Sequence, residues 1–129
     1  VLNPARIKEL AKLAKSFGME VLLEVREAEE LKSVNEYMDA VGVNNRNLKD
    51  FSVSINQSLK LASLIPNEFV KISESGIASA ATIMELKKAG YNGFLIGETF
   101  MRSGRPEMAC ARLIREIKES KSLLAQPVK

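Results

Sequence analysis

The chain contains no histidine, and that absence removes both the commonest proton shuttle and the commonest metal ligand. Acid–base chemistry must therefore fall to Glu, Asp, Lys or Ser, with Asn able only to bind or orient. There is one cysteine, Cys110, so an internal disulfide is excluded and nothing marks an oxidising compartment. Its place in the pattern Met108, Ala109, Cys110, Leu113, Ile114, Ile117 makes it a buried helix residue rather than a catalytic thiol. No apolar run approaches the ~18 residues that span a bilayer, and no charged start followed by an apolar stretch marks a signal peptide. The expectation is a cytoplasmic protein with no membrane partner. Basic residues number 19 against 16 acidic, a formal charge of +3. The two signs are mixed, without a basic run interleaved with aromatics, which argues against a nucleic-acid partner. A phosphorylated small molecule as ligand fits this mild basic excess as well as a nucleic acid would, and surface lysines that keep a helical exterior soluble fit it best.

What is present is a regular alternation. At 129 residues and 46% hydrophobic, the chain can bury a core. Asn3-Pro4 opens a helix through Ile7, Leu10, Ala11, Ala14 and Phe17, and Gly18 stops it. Val21 to Val25 is a short, nearly continuous apolar run, which predicts a parallel strand buried on both faces. Glu27 to Tyr37 reads as a helix, and Ala40 to Asn44 as the second strand. After a polar loop, Ser54 with Gln57 forms a capping box for a helix through Ile55, Leu59, Ala62 and Leu64. Phe69 to Ser75 is the third strand, and Ser79 caps a helix that Gly90 closes. Gly93 to Glu98 is the fourth strand, Pro106 opens a helix to about Glu119, and the tail 121–129 carries no usable period.

The order α-βα-βα-βα-βα demands a parallel sheet with helices packed outside. Residues 1–129 read as one α/β domain of the (β/α)₈ TIM-barrel class, a half-barrel of four βα units preceded by one helix. A complete barrel needs roughly 250 residues, so this chain is expected to supply half of one.

Residues two apart on a strand share a face, which pairs Leu22 with Glu24, Gly42 with Asn44, Ile72 with Glu74 and Leu95 with Gly97. Barrel active sites lie at the carboxyl ends of the strands, so Glu24, Asn44 and Glu74 are the candidate catalytic residues, converging on one cavity. A carboxylate in a partly apolar mouth can exchange protons near neutral pH, whereas Asn44 can only hold a hydroxyl or orient a carboxylate. Gly76, Gly97 and Glu98 are the candidate phosphate-binding residues, because glycine lets a backbone N–H approach an anion closely. The Glu98 carboxylate is expected to point away while its N–H serves. Arg46 is a candidate substrate contact. Arg46 could reach a substrate carboxylate, or equally pair with Glu24, Glu74 or Asp50 to brace its loop.

The segments Leu22-Leu23-Glu24-Val25, Gly42-Val43-Asn44-Asn45-Arg46-Asn47-Leu48, Ser73-Glu74-Ser75-Gly76-Ile77 and Phe94 to Met101 closely resemble indole-3-glycerol phosphate synthase over about residues 1 to 118. The resemblance implies strands five to eight of that barrel. It also implies closure of the indole ring of a carboxyphenylamino-deoxyribulose phosphate, with loss of CO₂ and water and without metal or cofactor. On it, Glu24 matches the general base of the dehydration, and Asn44 a residue binding the ribulose-chain hydroxyls. Glu74 matches a carboxylate that pairs with active-site lysines, and Ser75 a substrate contact, with Gly76, Gly97 and the Glu98 backbone around the phosphate. Arg26 stands where the family often has His or Asn. The family's lysines and another Glu, from strands one to three, have no counterpart here, so the chain alone is expected to be inactive. Its expected partner is an amino-terminal half-barrel or a second copy of itself, which would cover its open sheet edges.

Overall fold

The computed structural model describes residues 2–125. Helix α1 (Pro4–Ser16) begins where Asn3 Oδ1 accepts the Arg6 N–H at 2.9 Å, and Gly18 leaves it in a left-handed conformation, φ +77°. Strands β1 (Leu22–Val25), β2 (Ala40–Asn44), β3 (Val70–Glu74) and β4 (Gly93–Leu95) follow, with α2 (Asn56–Leu61), α3 (Ala80–Ala89), a one-turn α4 (Glu98–Met101) and a long α5 (Pro106–Ala125). The strands form one parallel sheet in the order β1-β2-β3-β4. This is the βα alternation read from the sequence.

One face of the sheet carries the core. Val25, Val41 and Val43 pack with Leu61, Ile65, Ile77, Ile83, Leu86, Tyr91 and Leu113 from the connecting helices and loops. The other face is open: Leu22 is 41% and Leu95 50% exposed. The expectation that β1 is buried on both faces is thus corrected, because the helices cover one side only and four strands do not curl far enough to cover the other.

Other differences have local causes. The segment expected to be helical from Glu27 to Tyr37 holds only a 3₁₀ helix, Ala28–Ser33. Val34 is extended, and Asn35 Oδ1 takes the Tyr37 N–H at 3.0 Å, a side-chain turn that competes with helix. The Ser54–Gln57 capping box does not form. Ser54 Oγ accepts from Asn56 N, but Gln57 Nε2 donates to the carbonyl of Arg26, tying α2 to the end of β1. The fourth strand stops at Leu95, and Glu98 instead starts α4. The last helix runs past Glu119 to Ala125, which takes in 121–125 of the expected tail, while 126–129 lie outside the described residues. Cys110 is half-buried rather than buried, since α5 turns Leu113 inward but leaves Met108 and Ile114 exposed.

Candidate active site

Strand register brings the inward residues into rows. Glu24 lies beside Gly42, and Asn44 beside Glu74, which lies beside Leu95. Asn44 Nδ2 donates to Glu24 Oε1 at 2.9 Å, and Asn44 Oδ1 accepts from Ser75 Oγ at 2.9 Å and from the Arg46 N–H at 3.0 Å. Arg26 donates to the same Glu24 oxygen at 2.9 Å. Glu24, Asn44 and Ser75, drawn from three strand ends, therefore form one hydrogen-bonded chain along the rim.

Glu74 closes the group. It is 8% exposed, and its Oε2 is buried without a hydrogen-bond partner among the described residues. That oxygen occupies the space above Gly42, where a Cβ would overlap it, so the glycine makes room for the carboxyl. Burial first, and then the neighbouring Glu24 carboxylate, push Glu74 up from the usual carboxylate range to about 7, with Arg26 opposing. The pair thus offers one carboxyl that exchanges its proton near neutrality.

Stability should carry the same signature. A carboxyl that binds its proton more tightly folded than unfolded stabilises the fold fully below about pH 4.5, and this contribution is lost as pH rises through about 7. Urea denaturation between pH 5 and 8 should show stability falling by roughly 1 to 3 kcal/mol, the lower figure allowing for water at the open mouth. Glu74→Gln should flatten that slope.

A cleft of about 670 Å³ lies beside this group, lined by Arg46, Glu74, Ser75, Gly76, Gly97 and Glu98 among others. Six of the eight expected site residues meet there. Gly76 has φ +73°, and a Cβ on it would overlap Val53, so this turn requires glycine. Ser75 shares the left-handed conformation, φ +71°, which bends the chain so that its hydroxyl faces Asn44. Asn44 and Arg46 also line a second cleft of about 370 Å³ that includes Arg26 and Gln57.

Two expectations about charge are corrected. Arg46 pairs with none of Glu24, Glu74 or Asp50. It donates to Glu98 Oε2 at 2.7 Å and to the Phe51 carbonyl at 3.3 Å, bracing its loop against α4, while Asp50 is engaged by Ser52. The Glu98 carboxylate does not turn away from the cleft either: it sits on the wall between Arg46 and Arg102, also at 2.7 Å, because two guanidiniums hold it there.

Sequence reasoning missed the support behind the rim. Asn45, 4% exposed, donates to Ser73 Oγ at 3.1 Å and to the Ser75 carbonyl at 3.0 Å, and accepts the Ser58 N–H at 3.0 Å. Ser58 and Ser73 hydroxyls lie 2.7 Å apart, and Tyr91 donates to the Ser58 carbonyl at 2.6 Å. The one available signal was strand alternation, which turns Asn45 to the helix side when Asn44 faces inward.

A parallel sheet with helices on one face and polar residues gathered at its carboxyl rim defines a (β/α)-barrel protein. The sequence profile of indole-3-glycerol phosphate synthase matches residues 1–113, and the chain belongs to that family. The indole-3-glycerol phosphate synthase of Bacteroides thetaiotaomicron is 41% identical over 116 residues, covering 90% of this chain and 45% of that relative. The synthase of Polaromonas sp. is 42% identical over 113 residues, covering 87% and 43%. The chain thus spans less than half the length of these relatives. Among solved structures, it superposes on a chain of the Amycolatopsis orientalis BexX/CysO complex with a TM-score of 0.65 at 19% identity, covering 98% of this chain and 53% of that one. It superposes on a structure titled native KDPGal with a TM-score of 0.62 at 16% identity, covering 98% and 68%. At these identities the likeness is one of fold. Among the described residues no helix is long and apolar enough to cross a membrane.

Proposed function

We propose that this chain is the carboxyl-terminal half of an indole-3-glycerol phosphate synthase, supplying strands five to eight. As a whole enzyme it closes the indole ring of 1-(2-carboxyphenylamino)-1-deoxyribulose 5-phosphate, a carbon–carbon lyase step of tryptophan biosynthesis that releases CO₂ and water. The observation that carries this reading is the continuity of the rim: Glu24, Asn44 and Ser75 hydrogen-bond in series, and Ser75 opens onto the glycine-edged cleft. In this assignment the phosphate rests against the backbone at Gly76, Gly97 and Glu98, Ser75 and Arg46 contact substrate, and Asn44 holds the ribulose-chain hydroxyls. Glu24 takes the proton lost during dehydration. Glu74 awaits the lysines of the other half, which neutralise it and provide the acid for ring closure. No metal or cofactor takes part.

The partner that best fits the open edge is an amino-terminal half ending in a strand. A helix that feeds β1 from a preceding parallel strand packs outside the sheet, and α1 packs on the 28–33 helix and is tied by Lys15 to Asp39 at 2.7 Å. The exposed Leu10, Leu13 and Phe17 of α1 then cover the arriving strand and its neighbours. An isolated chain that only captures phosphate esters is the alternative.

Mixing the chain with a separately produced amino-terminal half and assaying indole-3-glycerol phosphate tests this. The mixture should be active and each half silent. Silence of a 1:1 complex proven by native mass spectrometry would contradict the assignment.

A further inference from the structure

Arg26 takes no part in the reading above, yet its guanidinium is the only cationic group bonded to a member of the carboxylate pair among the described residues. It continues the inward row Leu22, Glu24, Arg26 one step past the end of β1. Its main chain is anchored by another element, through the hydrogen bond from Gln57 of α2 to its carbonyl. Its Nε is enclosed, with no hydrogen-bond partner among the described residues. A guanidinium left to solvent would wet that nitrogen, so packing holds the side chain with its charge directed at Glu24, 2.9 Å away.

The two carboxyls are therefore unequal. Glu24 Oε1 receives two donors, Arg26 and Asn44, while Glu74 Oε2 is buried and receives none. Around Glu74, β1 contributes Glu24 and Arg26, β2 contributes the uncharged Gly42 and Asn44, and β4 contributes Leu95. Across the cleft, Arg46 and Glu98 are occupied with each other. Where two adjacent carboxyls share one negative charge, it settles on the one that the donors face.

We propose that Arg26 is a positioning residue that keeps the charge of the pair on Glu24 and, until the lysines of the other half reach Glu74, the proton on Glu74. Its meaning for catalysis rests on the synthase reading; the partition itself does not, and is measured on the chain alone.

The experiment is a ¹³C-carboxyl glutamate NMR titration of the full chain, with signals assigned through Glu24→Gln and Glu74→Gln. In the unsubstituted chain the step near neutral pH should fall on the Glu74 carbon. In Arg26→Gln it should be lost from Glu74 alone and appear on both carbons. Arg26→Lys, which restores the positive charge, should return it to Glu74. A merely structural arginine would alter melting temperature without moving the step between carbons. The proposal is overturned if Arg26→Gln keeps the step on Glu74, if Arg26→Lys behaves as Arg26→Gln does while both retain native amide spectra, or if the unsubstituted chain carries the step on Glu24. Should Arg26→Gln fail to fold, the partition in the unsubstituted chain and in Arg26→Lys decides the question. Synthase activity enters none of these outcomes, so failure of the functional reading would be seen separately.

Discussion

Glu24→Gln in the enzyme assembled from both halves should lower kcat by about 10² to 10⁴-fold, the range for loss of a positioned general base, with KM changed little. The amide nearly matches the carboxylate in shape and can still accept from Asn44 Nδ2, which binds Glu24 Oε1 at 2.9 Å. What it loses is the capacity to take a proton and the charge that Arg26 holds at 2.9 Å. On the proposed assignment, substrate positioning through Asn44 and Ser75 is left in place, so the loss falls on the chemical step. Steady-state kinetics check this. A loss in kcat/KM caused by KM alone would make Glu24 a binding residue and move the base elsewhere.

Asn45→Ala should have the largest effect on stability of any rim substitution, roughly 3 to 5 kcal/mol, because it strands several buried partners at once. Asn45 joins Ser58, Ser73 and the Ser75 carbonyl, and alanine leaves the Ser58 N–H and the Ser75 carbonyl without their protein partner. The same bond to Ser75 helps hold a non-glycine residue at φ +71°, so the substitution should also loosen the turn beside the cleft. Ser75→Ala, which removes only a part-buried hydroxyl from Asn44, should cost under about 1 kcal/mol. Chemical denaturation of the two variants checks the contrast. Equal small losses would mean that water replaces the Asn45 side chain and that the network carries little of the rim's rigidity.

The elements legible in the sequence are those written in local rules. Asn3 and Ser79 cap helices through bonds to residues three ahead, and Gly18 and Gly90 end them with positive φ. Alternation along short apolar strands placed Glu24, Asn44 and Glu74 on one face, and register did the rest. What could not be read depends on partners far along the chain. Gln57 leaves its expected cap for a carbonyl 31 residues away, and Arg46 finds Glu98 across 52 residues instead of a nearer acid. The Asn45 network joins residues 13 to 30 apart. Residue type alone ranks such choices poorly, since a carboxylate near a guanidinium is favourable wherever it lies and only packing selects which one. The 3₁₀ helix in place of a full helix after β1 is of the same kind, a local preference of Asn35 prevailing over an apolar period.

One continuous site is expected to run from the carboxylate pair to the glycine-edged cleft. The most direct measurement is an NMR titration of the assembled halves with a non-reactive, reduced analogue of the carboxyphenylamino-deoxyribulose phosphate. The backbone amides of Gly76, Gly97 and Glu98 and the side-chain signals of Glu24 and Asn44 should shift together, along one binding curve. Shifts confined to the opposite end of the strands, or amide shifts that leave Glu24 and Asn44 unmoved at saturation, would contradict it.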